Sequence, residues 1–173
     1  MTAAPRPRIA LLPPEVAARI AAGEVIERPA SVVKELIENA LDAGATHVEV
    51  EVAGGGVDQI RVRDDGCGIP PDQVADAFER HATSKLRSEH DLFAVRTLGF
   101  RGEALASIAA AADVDLVTRP AEQEAAAVAR LRDGRLERLG SAAGAPGTSV
   151  EARDLFAALP ARRRFLRTPR AET

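Results

Sequence analysis

A helical segment followed at once by two alternating strands constrains the fold of this chain most strongly. From Pro29 to Ala43 apolar residues recur with the helical period, and Gly44 is a typical stop signal. The predicted apolar stripe consists of Val33, Leu36, Ile37, Ala40 and Leu41. Residues 47–52 then alternate between apolar and mostly acidic side chains, and Gly54-Gly55-Gly56 predicts a turn into a partner strand over residues 57–63. A helix joined directly to such a strand pair predicts a sheet that carries the helix on one face.

The rest of the chain predicts further helices and strands around this unit. Helices are predicted from Pro13-Pro14 to Gly23, from Pro70-Pro71 to Phe78, over residues 103–112, and from Pro160 to Arg167. Strands are predicted over residues 114–118, 126–131 and 136–139 and from Gly147 onward, with Asp133-Gly134 as a tight turn. Because helices are interleaved with strands that tight hairpins join, we expect an α/β (α+β) two-layer sandwich. Its sheet is mixed and largely antiparallel, with helices on one face.

Length and composition favour one soluble domain over residues 1–173, with a loose arm at residues 1–8. The apolar stretches are interrupted, so we expect neither a membrane span nor a secretory signal. The single cysteine, Cys67, excludes a disulfide within the chain, and the three histidines lack zinc spacing, which favours a cytoplasmic setting. The net charge of −3 argues against a surface that coats nucleic acid, so any DNA contact is local.

Glu35 and Asn39 lie one helical turn apart on the polar side of the helix that begins at Pro29. An acidic residue in such a place is usually a solvated surface group. Here Glu38 and Asp42 crowd the same flank, and clustered carboxylates are easier to explain beside a cation or a water to be activated. Glu35 suits a general base, and the carbonyl oxygen of Asn39 suits Mg²⁺. Asp42 either holds a water near the metal or caps the turn.

Asp64 comes at the end of a predicted strand, directly before Gly66 and Gly68. As a generic Asp-Gly turn the pattern is common. In a binding site, such a carboxylate accepts a hydrogen bond from an exocyclic amine, which adenine presents, while the glycines let a flat base approach the backbone. The segment is therefore a candidate for adenine selection.

A weakly periodic segment over residues 82–101 is typical of a lid or a binding loop. The stretch from Gly99 to Leu105 places two glycines before a helix start, where unpaired N–H groups bind phosphate oxygens. Arg101 and Lys85 either add positive charge there or are simply solvated. Neither the P-loop motif nor the dinucleotide-binding glycine motif occurs in the sequence, so phosphate binding must use another architecture.

Together these motifs resemble the GHKL ATPase superfamily, and within it the MutL-type DNA mismatch-repair proteins. The superfamily pattern is an E-x-x-x-N helix, D-x-G-x-G, a glycine lid motif and a late G-T, and all four occur here in order. Longer strings carry the mismatch-repair resemblance and disfavour the topoisomerase branch; they cover nearly the whole chain except residues 1–8 and 120–145. These strings run from Ile20 to Val25, Glu27 to Glu35, Leu41 to Ala45, Arg80 to Lys85, Gly99 to Leu105 and Pro160 to Leu166.

The resemblance implies a Bergerat-fold ATP site in which Glu35 is the general base, Asn39 binds Mg²⁺ and Asp64 reads adenine. The lid, residues 82–105, would enclose the triphosphate, and Thr148 would complete the adenine side. The implied nucleotide-binding residues, for ATP and Mg²⁺ as cofactors, are Asn39, Ala43, Asp64, Gly66, Gly68, Thr83, Ser84, Lys85, Gly99, Phe100, Arg101, Gly102, Leu105 and Thr148.

The resemblance also implies a second domain that contributes a lysine to the terminal phosphate, whereas this sequence stops at Thr173. We therefore expect a fragment that binds adenine nucleotide weakly and hydrolyses it slowly if at all. Two functions remain open. One is an ATPase module whose lid closes over ATP and promotes pairing of two copies; the other is a non-catalytic, nucleotide-gated platform for repair partners or DNA.

The implied partners are ATP, mismatch-recognition and downstream repair proteins, and a second copy of the full-length protein in a nucleotide-dependent homodimer. The basic run Arg162, Arg163 and Arg164 offers local contacts to DNA phosphates, although a solvated helix face explains most of it. No membrane partner is expected.

Overall fold

The structure, a computed structural model, describes residues 11–13, 20, 25–80, 82, 102–164 and 166. The helices are α1 (Pro29–Asp42), α2 (Ala104–Ala111) and the short α3 (Pro160–Arg163). The strands are β1 (Val48–Ala53), β2 (Gln59–Asp64), β3 (Asp113–Arg119), β4 (Ala126–Arg132), β5 (Arg135–Ala142) and β6 (Gly147–Arg153). Single 3₁₀ turns occupy Gly54–Gly56, Pro71–Gln73 and Asp76–Phe78. The helix predicted at Pro13-Pro14 lies largely outside the described residues.

The six described strands form one sheet in the order β1-β2-β6-β3-β4-β5, and each pairing is antiparallel. The predicted α/β two-layer sandwich with a largely antiparallel sheet is confirmed. Asp133 and Gly134 both have positive φ, 51° and 74°, which is the type I′ turn that matches the twist of a hairpin and joins β4 to β5. The last strand, β6, enters between β2 and β3 and so becomes central.

The core lies between the sheet and α1 and α2. The inward positions Ile60 on β2 and Leu116 on β3 are fully buried, as the two-residue alternation predicts. On α1 the buried side chains are Val32, Leu36 and Ala40, one turn apart from one another. The predicted apolar stripe missed Val32 and included Leu41, which is 50% exposed because it lies on the opposite side of the helix from Val32.

Strand β1 departs from the predicted burial. Val50 and Val52 share a face with the buried Val62 and Ile60 opposite them, yet they are 39% and 41% exposed. The reason is that β1 is an edge strand, whereas α1 packs mainly over β2. Alternation correctly predicted the strand and the shared face, but not how far the helix layer extends.

The other face of the sheet carries paired charges. Arg61 on β2 donates to Glu51 on β1 at 2.9 Å and to Glu151 on β6 at 2.8 Å. The ladder continues through Arg153 to Asp115 on β3. Opposite charges directly across a sheet stabilise the strand register modestly.

Two predicted helices are shorter than expected. The segment after Pro70-Pro71 forms two 3₁₀ turns rather than one helix, closed by hydrogen bonds from Gln73 N–H to the Pro70 carbonyl at 2.9 Å and from Glu79 N–H to the Asp76 carbonyl at 2.9 Å. Such tight turns rarely extend beyond a few residues. The basic helix begins at Pro160 as predicted, but α3 ends at Arg163, because Arg164 already lies in a turn; Arg167 lies outside the described residues.

Candidate functional site

A row of three polar side chains crosses the centre of the sheet. Asp64 on β2 pairs with Thr148 on β6, and Thr148 pairs with Thr118 on β3. They lie on the helix-covered face, because the positions two residues earlier or later on these strands, such as Val62 and Val150, belong to the core. Directly opposite residues have Cβ atoms about 5 Å apart. The register thus aligns one carboxylate with two hydroxyl groups.

Asp64 is held by its own loop. One carboxylate oxygen accepts a hydrogen bond from the backbone N–H of Gly66 at 2.9 Å. Burial raises the pKa of Asp64 above its usual value, while the backbone N–H groups of Gly66 and Thr148 act in the opposite direction. A carboxylate offers about four lone-pair directions, so these contacts fix its orientation and leave it able to accept a further donor.

The glycines of the Asp64 loop occupy two places without room for a side chain. A Cβ atom at Gly66 would lie 2.8 Å from the Cβ of Ala43, and one at Gly68 would lie 2.6 Å from the carbonyl carbon and oxygen of Arg119. The N–H of Cys67 also donates to the carbonyl of Ala43 at 3.0 Å. The loop is therefore clamped between the C-terminal end of α1 and the end of β3.

Ala43, predicted to contact nucleotide, forms one side of this clamp. Gly68 has φ +71°, a left-handed conformation that favours glycine, in addition to its close contact with the end of β3. The clamp fixes the distance between the loop and the helix that carries the other predicted residues. Loop, helix end and strand end thus form one surface.

Helix α1 carries Glu35 and Asn39, which the i,i+4 spacing directs to the same side of the helix. Both are half-buried and flank the core stripe. The ammonium of Lys34 is 3.1 Å from Glu38 and 3.9 Å from Glu35, and its hydrogen bond to Glu38 is the main reason why the pKa of Lys34 is raised. Lys34 therefore pairs chiefly with Glu38, and the Glu35 side chain, 25% exposed, has only the looser contact.

Asp65, next to Asp64, has a different role that the sequence did not reveal. Its carboxylate accepts hydrogen bonds from the hydroxyl and N–H of Thr46, both at 2.7 Å, and from the N–H of His47 at 2.8 Å. These bonds, the Thr46 hydroxyl first, lower the pKa of Asp65 to about 2. Asp65 ties the end of β2 to the segment that leads from α1 into β1. Only one of the two adjacent carboxylates is therefore available to a ligand.

Thr118 is the other residue that the sequence interpretation missed. It is 1% exposed, and its hydroxyl lies 2.9 Å from the hydroxyl of Thr148. A signal was present: Val114, Leu116 and Thr118 alternate along β3, and Thr118 is the polar member of the inward set. A polar side chain in the buried register of a strand requires a partner, and that partner is a predicted site residue.

Most residues predicted to bind phosphate lie outside the described residues. They are Thr83, Ser84, Lys85, Gly99, Phe100 and Arg101. Gly102 is described and has φ +61°, two residues before α2 begins. Leu105 lies within α2 and packs against the core, so the predicted lid boundary at residue 105 overlaps the first turn of that helix.

The basic run at the C-terminal end is only partly solvated. Arg162 donates to the carbonyl of Ile26 at 2.9 Å, and its guanidinium carbon is 5.9 Å from the centre of the Phe156 ring. These contacts join α3 to the segment before α1. Arg163 and Arg164 are exposed. Of the three arginines proposed for DNA, Arg162 is thus engaged within the fold.

A cavity of about 350 Å³ lies on the charged face of the sheet, on the side away from α1. Its walls include Arg61 and Glu51, which pair with each other. Asp64 and Thr148 also line it, but the side chains of the row that they form with Thr118 lie on the helix-covered face. We therefore place the candidate site on the helix side. Within the described ranges, no helix is long and apolar enough to cross a membrane.

Comparison with known proteins gives consistent matches. Residues 26–140 match the protein family described as histidine kinase-, DNA gyrase B-, and HSP90-like ATPase. The chain is 54% identical over 161 residues to the DNA mismatch repair protein MutL of Desulforudis audaxviator, a match covering 93% of this chain and 28% of that protein. It is 54% identical over 166 residues to the same protein of Escherichia coli, covering 95% of this chain and 27% of that one. The chain thus spans little more than a quarter of the length of these curated relatives.

Solved structures match as well. The Aquifex aeolicus MutL ATPase domain complexed with ADP aligns with a TM-score of 0.69 at 35% identity, over 86% of this chain and 51% of that one. The N-terminal domain of a DNA repair protein aligns with a TM-score of 0.70 at 30% identity, over 86% of this chain and 42% of that one. The sequence matches and the structure matches therefore indicate the same family.

Proposed function

The chain belongs to the histidine kinase-, DNA gyrase B- and HSP90-like ATPase family, and within it to the MutL type, and we propose that it binds ATP and hydrolyses it with Mg²⁺ in DNA mismatch repair. The observation that carries the proposal is the register of Asp64 with Thr148 beside the loop clamped by Gly66 and Gly68. A nucleotide complex is known for the Aquifex aeolicus relative, which was solved with ADP. The register and the loop support the part of the proposal that concerns adenine binding.

Adenine binding follows from the chemistry of the row. The carboxylate of Asp64, oriented by Gly66, accepts the exocyclic amine of the base. Gly66 and Gly68 hold the loop that carries Asp64 close to Ala43 and to the end of β3, where a side chain at either position would collide. The cost of burying Asp64, seen as its raised pKa, is offset when a donor from the base replaces lost water. Asp64 therefore serves binding at some expense to the unliganded fold.

Asn39 fits Mg²⁺ held jointly with phosphates. Among the described residues, no group of three or more His, Cys, Asp or Glu side chains is arranged to hold a metal ion. Mg²⁺ commonly keeps several waters and takes one or two protein ligands together with substrate phosphates, so a single amide oxygen on α1 suffices. When bound, the ion neutralises charge on the phosphates.

We assign the role of general base to Glu35. It lies one turn before Asn39 on the same side of α1, and its contact with Lys34 is the longer of the two that Lys34 makes on this helix. A carboxylate in this place accepts a proton from a water that attacks the terminal phosphate.

The last part of the proposal concerns how the nucleotide state is linked to DNA repair. We infer that the nucleotide state controls pairing of two copies and contact with mismatch-recognition and downstream repair proteins. The names of the curated relatives support only the assignment to DNA mismatch repair. Arg163 and Arg164 remain candidates for a local DNA contact, since both are exposed. A phosphate contact should weaken with added salt.

Substitution of Glu35 tests the catalytic part, with Glu38 as the matched control. Glu35→Ala should lower single-turnover ATP hydrolysis by about 100-fold or more, the usual range for a lost general base, while ATP affinity stays within about threefold. Glu38→Ala removes an acid from the same helix and the main partner of Lys34, and should keep turnover. Unchanged turnover in Glu35→Ala would contradict the assignment. Retained ATP binding in that case would favour the non-catalytic, nucleotide-gated platform.

A further inference from the structure

Thr118 is buried beside the adenine side of the proposed site, and its hydroxyl contacts three groups. The backbone N–H of Ile69, directly after Gly68, donates to it at 2.8 Å. The hydroxyl of Thr148 is 2.9 Å away, and the carbonyl oxygen of Gly147 is 3.3 Å away. Thr118 thus links the glycine loop to the strand that carries Thr148.

The number of hydrogens on each group limits which group donates in the hydrogen bonds around Thr118. A hydroxyl group has one hydrogen to donate and two lone pairs to accept with. The N–H of Ile69 can only donate, so it occupies one lone pair of Thr118. The single hydrogen of Thr118 then points either to Thr148 or to the carbonyl of Gly147.

Distance favours Thr148 as the acceptor. Hydrogen bonds between hydroxyl groups and oxygen are best at about 2.7–2.8 Å and rarely exceed about 3.0 Å. The contact to Thr148 at 2.9 Å meets this range, whereas the contact to the Gly147 carbonyl at 3.3 Å does not. When Thr118 donates to Thr148, the hydrogen of Thr148 remains available for another acceptor.

The neighbour of Thr148 in the sheet is Asp64. An ionised carboxylate only accepts, so Asp64 and Thr148 together present an acceptor beside a donor. Adenine presents the complement, an amine donor beside a ring-nitrogen acceptor. In hypoxanthine and guanine the corresponding positions carry a carbonyl acceptor and an N–H donor, which oppose both protein groups.

We propose that Thr118 is a positioning residue for base specificity: by donating to Thr148, it keeps the Thr148 hydroxyl a donor toward the base. This inference rests on the proposed function, because it assumes that adenine lies beside Asp64 and Thr148. The ring nitrogen is reached directly or across one water. Thr118 itself does not touch the nucleotide.

Calorimetric titration of the 173-residue chain with ATP and with inosine triphosphate, each with Mg²⁺, tests the proposal. The readout is the ratio of the two dissociation constants, which a merely structural role of Thr118 would not change. Thr118→Val keeps the shape but removes the hydroxyl, and it should lower the preference for ATP by about tenfold, the value of one hydrogen bond. Thr118→Ser keeps the hydroxyl and should keep the preference.

Val114→Ala is the matched control for stability. It lies on the same face of β3, is fully buried, and carries no hydrogen-bonding group. It should lower the denaturation midpoint and leave the nucleotide preference unchanged. If Thr118→Val does not fold, Thr118→Ala against Thr118→Ser makes the same comparison between variants without and with the hydroxyl.

The outcomes separate the two levels of the proposal. An unaltered preference for ATP in folded Thr118→Val, or in Thr118→Ala if that variant is used, overturns the role of Thr118 and leaves the proposed function standing. A chain that binds ATP and inosine triphosphate equally before any substitution overturns adenine selection by Asp64 and Thr148, and the role of Thr118 with it. Absence of nucleotide binding in the unaltered chain overturns the proposed function itself.

Discussion

Replacing Gly68 by alanine, compared with the same replacement at Gly44, isolates the contribution of the loop clamp. The two glycines have almost the same backbone conformation, φ +71° and +74°. They differ in their surroundings. A Cβ atom at Gly68 would lie 2.6 Å from the carbonyl carbon and oxygen of Arg119, whereas one at Gly44 would have no neighbour within 4 Å.

The strain of a left-handed alanine is common to both variants. It costs about 1–2 kcal/mol, and the reduced freedom of the unfolded chain offsets about 0.4–1 kcal/mol of that. Gly44→Ala should therefore lower the free energy of unfolding by about 1 kcal/mol.

Gly68→Ala has an additional steric cost. Carbon atoms pack at about 3.5–4.0 Å, so the loop or the end of β3 must move by about 1 Å. Arg119 resists this movement, because it pairs with Gly147 in the sheet and its guanidinium donates to the Gly144 carbonyl at 2.8 Å. Overpacking of this kind costs about 1–3 kcal/mol, so Gly68→Ala should lose about 2–4 kcal/mol in total.

Urea denaturation followed by circular dichroism measures both variants under the same conditions. The expected result is a lower midpoint for Gly68→Ala than for Gly44→Ala, with similar slopes. Losses that agree within about 0.5 kcal/mol would refute the close approach of the loop to β3.

The two adjacent aspartates should respond to pH in opposite ways. Asp65 has a lowered pKa in the folded chain, so its stabilising contribution is complete above about pH 4, near its unfolded pKa, and is lost as the pH falls toward 2. The difference in urea midpoint between Asp65→Asn and the unaltered chain should therefore be smaller at pH 2.5 than at pH 5. A difference that is the same at both pH values would contradict this. Asp64 has a raised pKa, so its ionisation costs stability as the pH rises through that value. Asp64→Asn should have a higher urea midpoint than the unaltered chain at pH 7, with a smaller advantage at pH 3, and a lower midpoint at pH 7 would argue against burial as the cause.

Local patterns predicted the fold well where neighbouring residues decide it. The Asp133-Gly134 turn and the inward positions of β2 and β3 follow from backbone conformation and two-residue alternation. Burial on α1 and β1 was predicted less well. Leu41 was assigned to the buried side because the predicted stripe omitted Val32, which lies opposite Leu41 on the helix. Whether Val52 is covered depends on where the helix layer ends across the sheet, and periodicity carries no such information.

In the candidate site, too, local motifs could be predicted from the sequence and contacts between distant residues could not. Asp64 and the glycines could be selected from the sequence because their motif is contiguous, and their role in nucleotide binding stays a prediction. Thr118 was missed, because its partner Thr148 comes 30 residues later and meets it only after β6 enters beside β3. The separate roles of Asp64 and Asp65 are likewise invisible in the sequence, since they depend on which side of the strand end each carboxylate faces.

Nucleotide titration of two neighbouring variants tests the central claim most directly. The claim is that Asp64, in register with Thr148, binds the adenine of ATP, whereas Asp65 only holds the chain near Thr46 and His47. Isothermal titration with ATP and Mg²⁺ at pH 7 should show binding by the unaltered chain and by Asp65→Asn, and at least tenfold weaker binding by Asp64→Asn, the loss expected for a hydrogen bond to a charged group. Equal affinity for ATP in Asp64→Asn and the unaltered chain would contradict the claim.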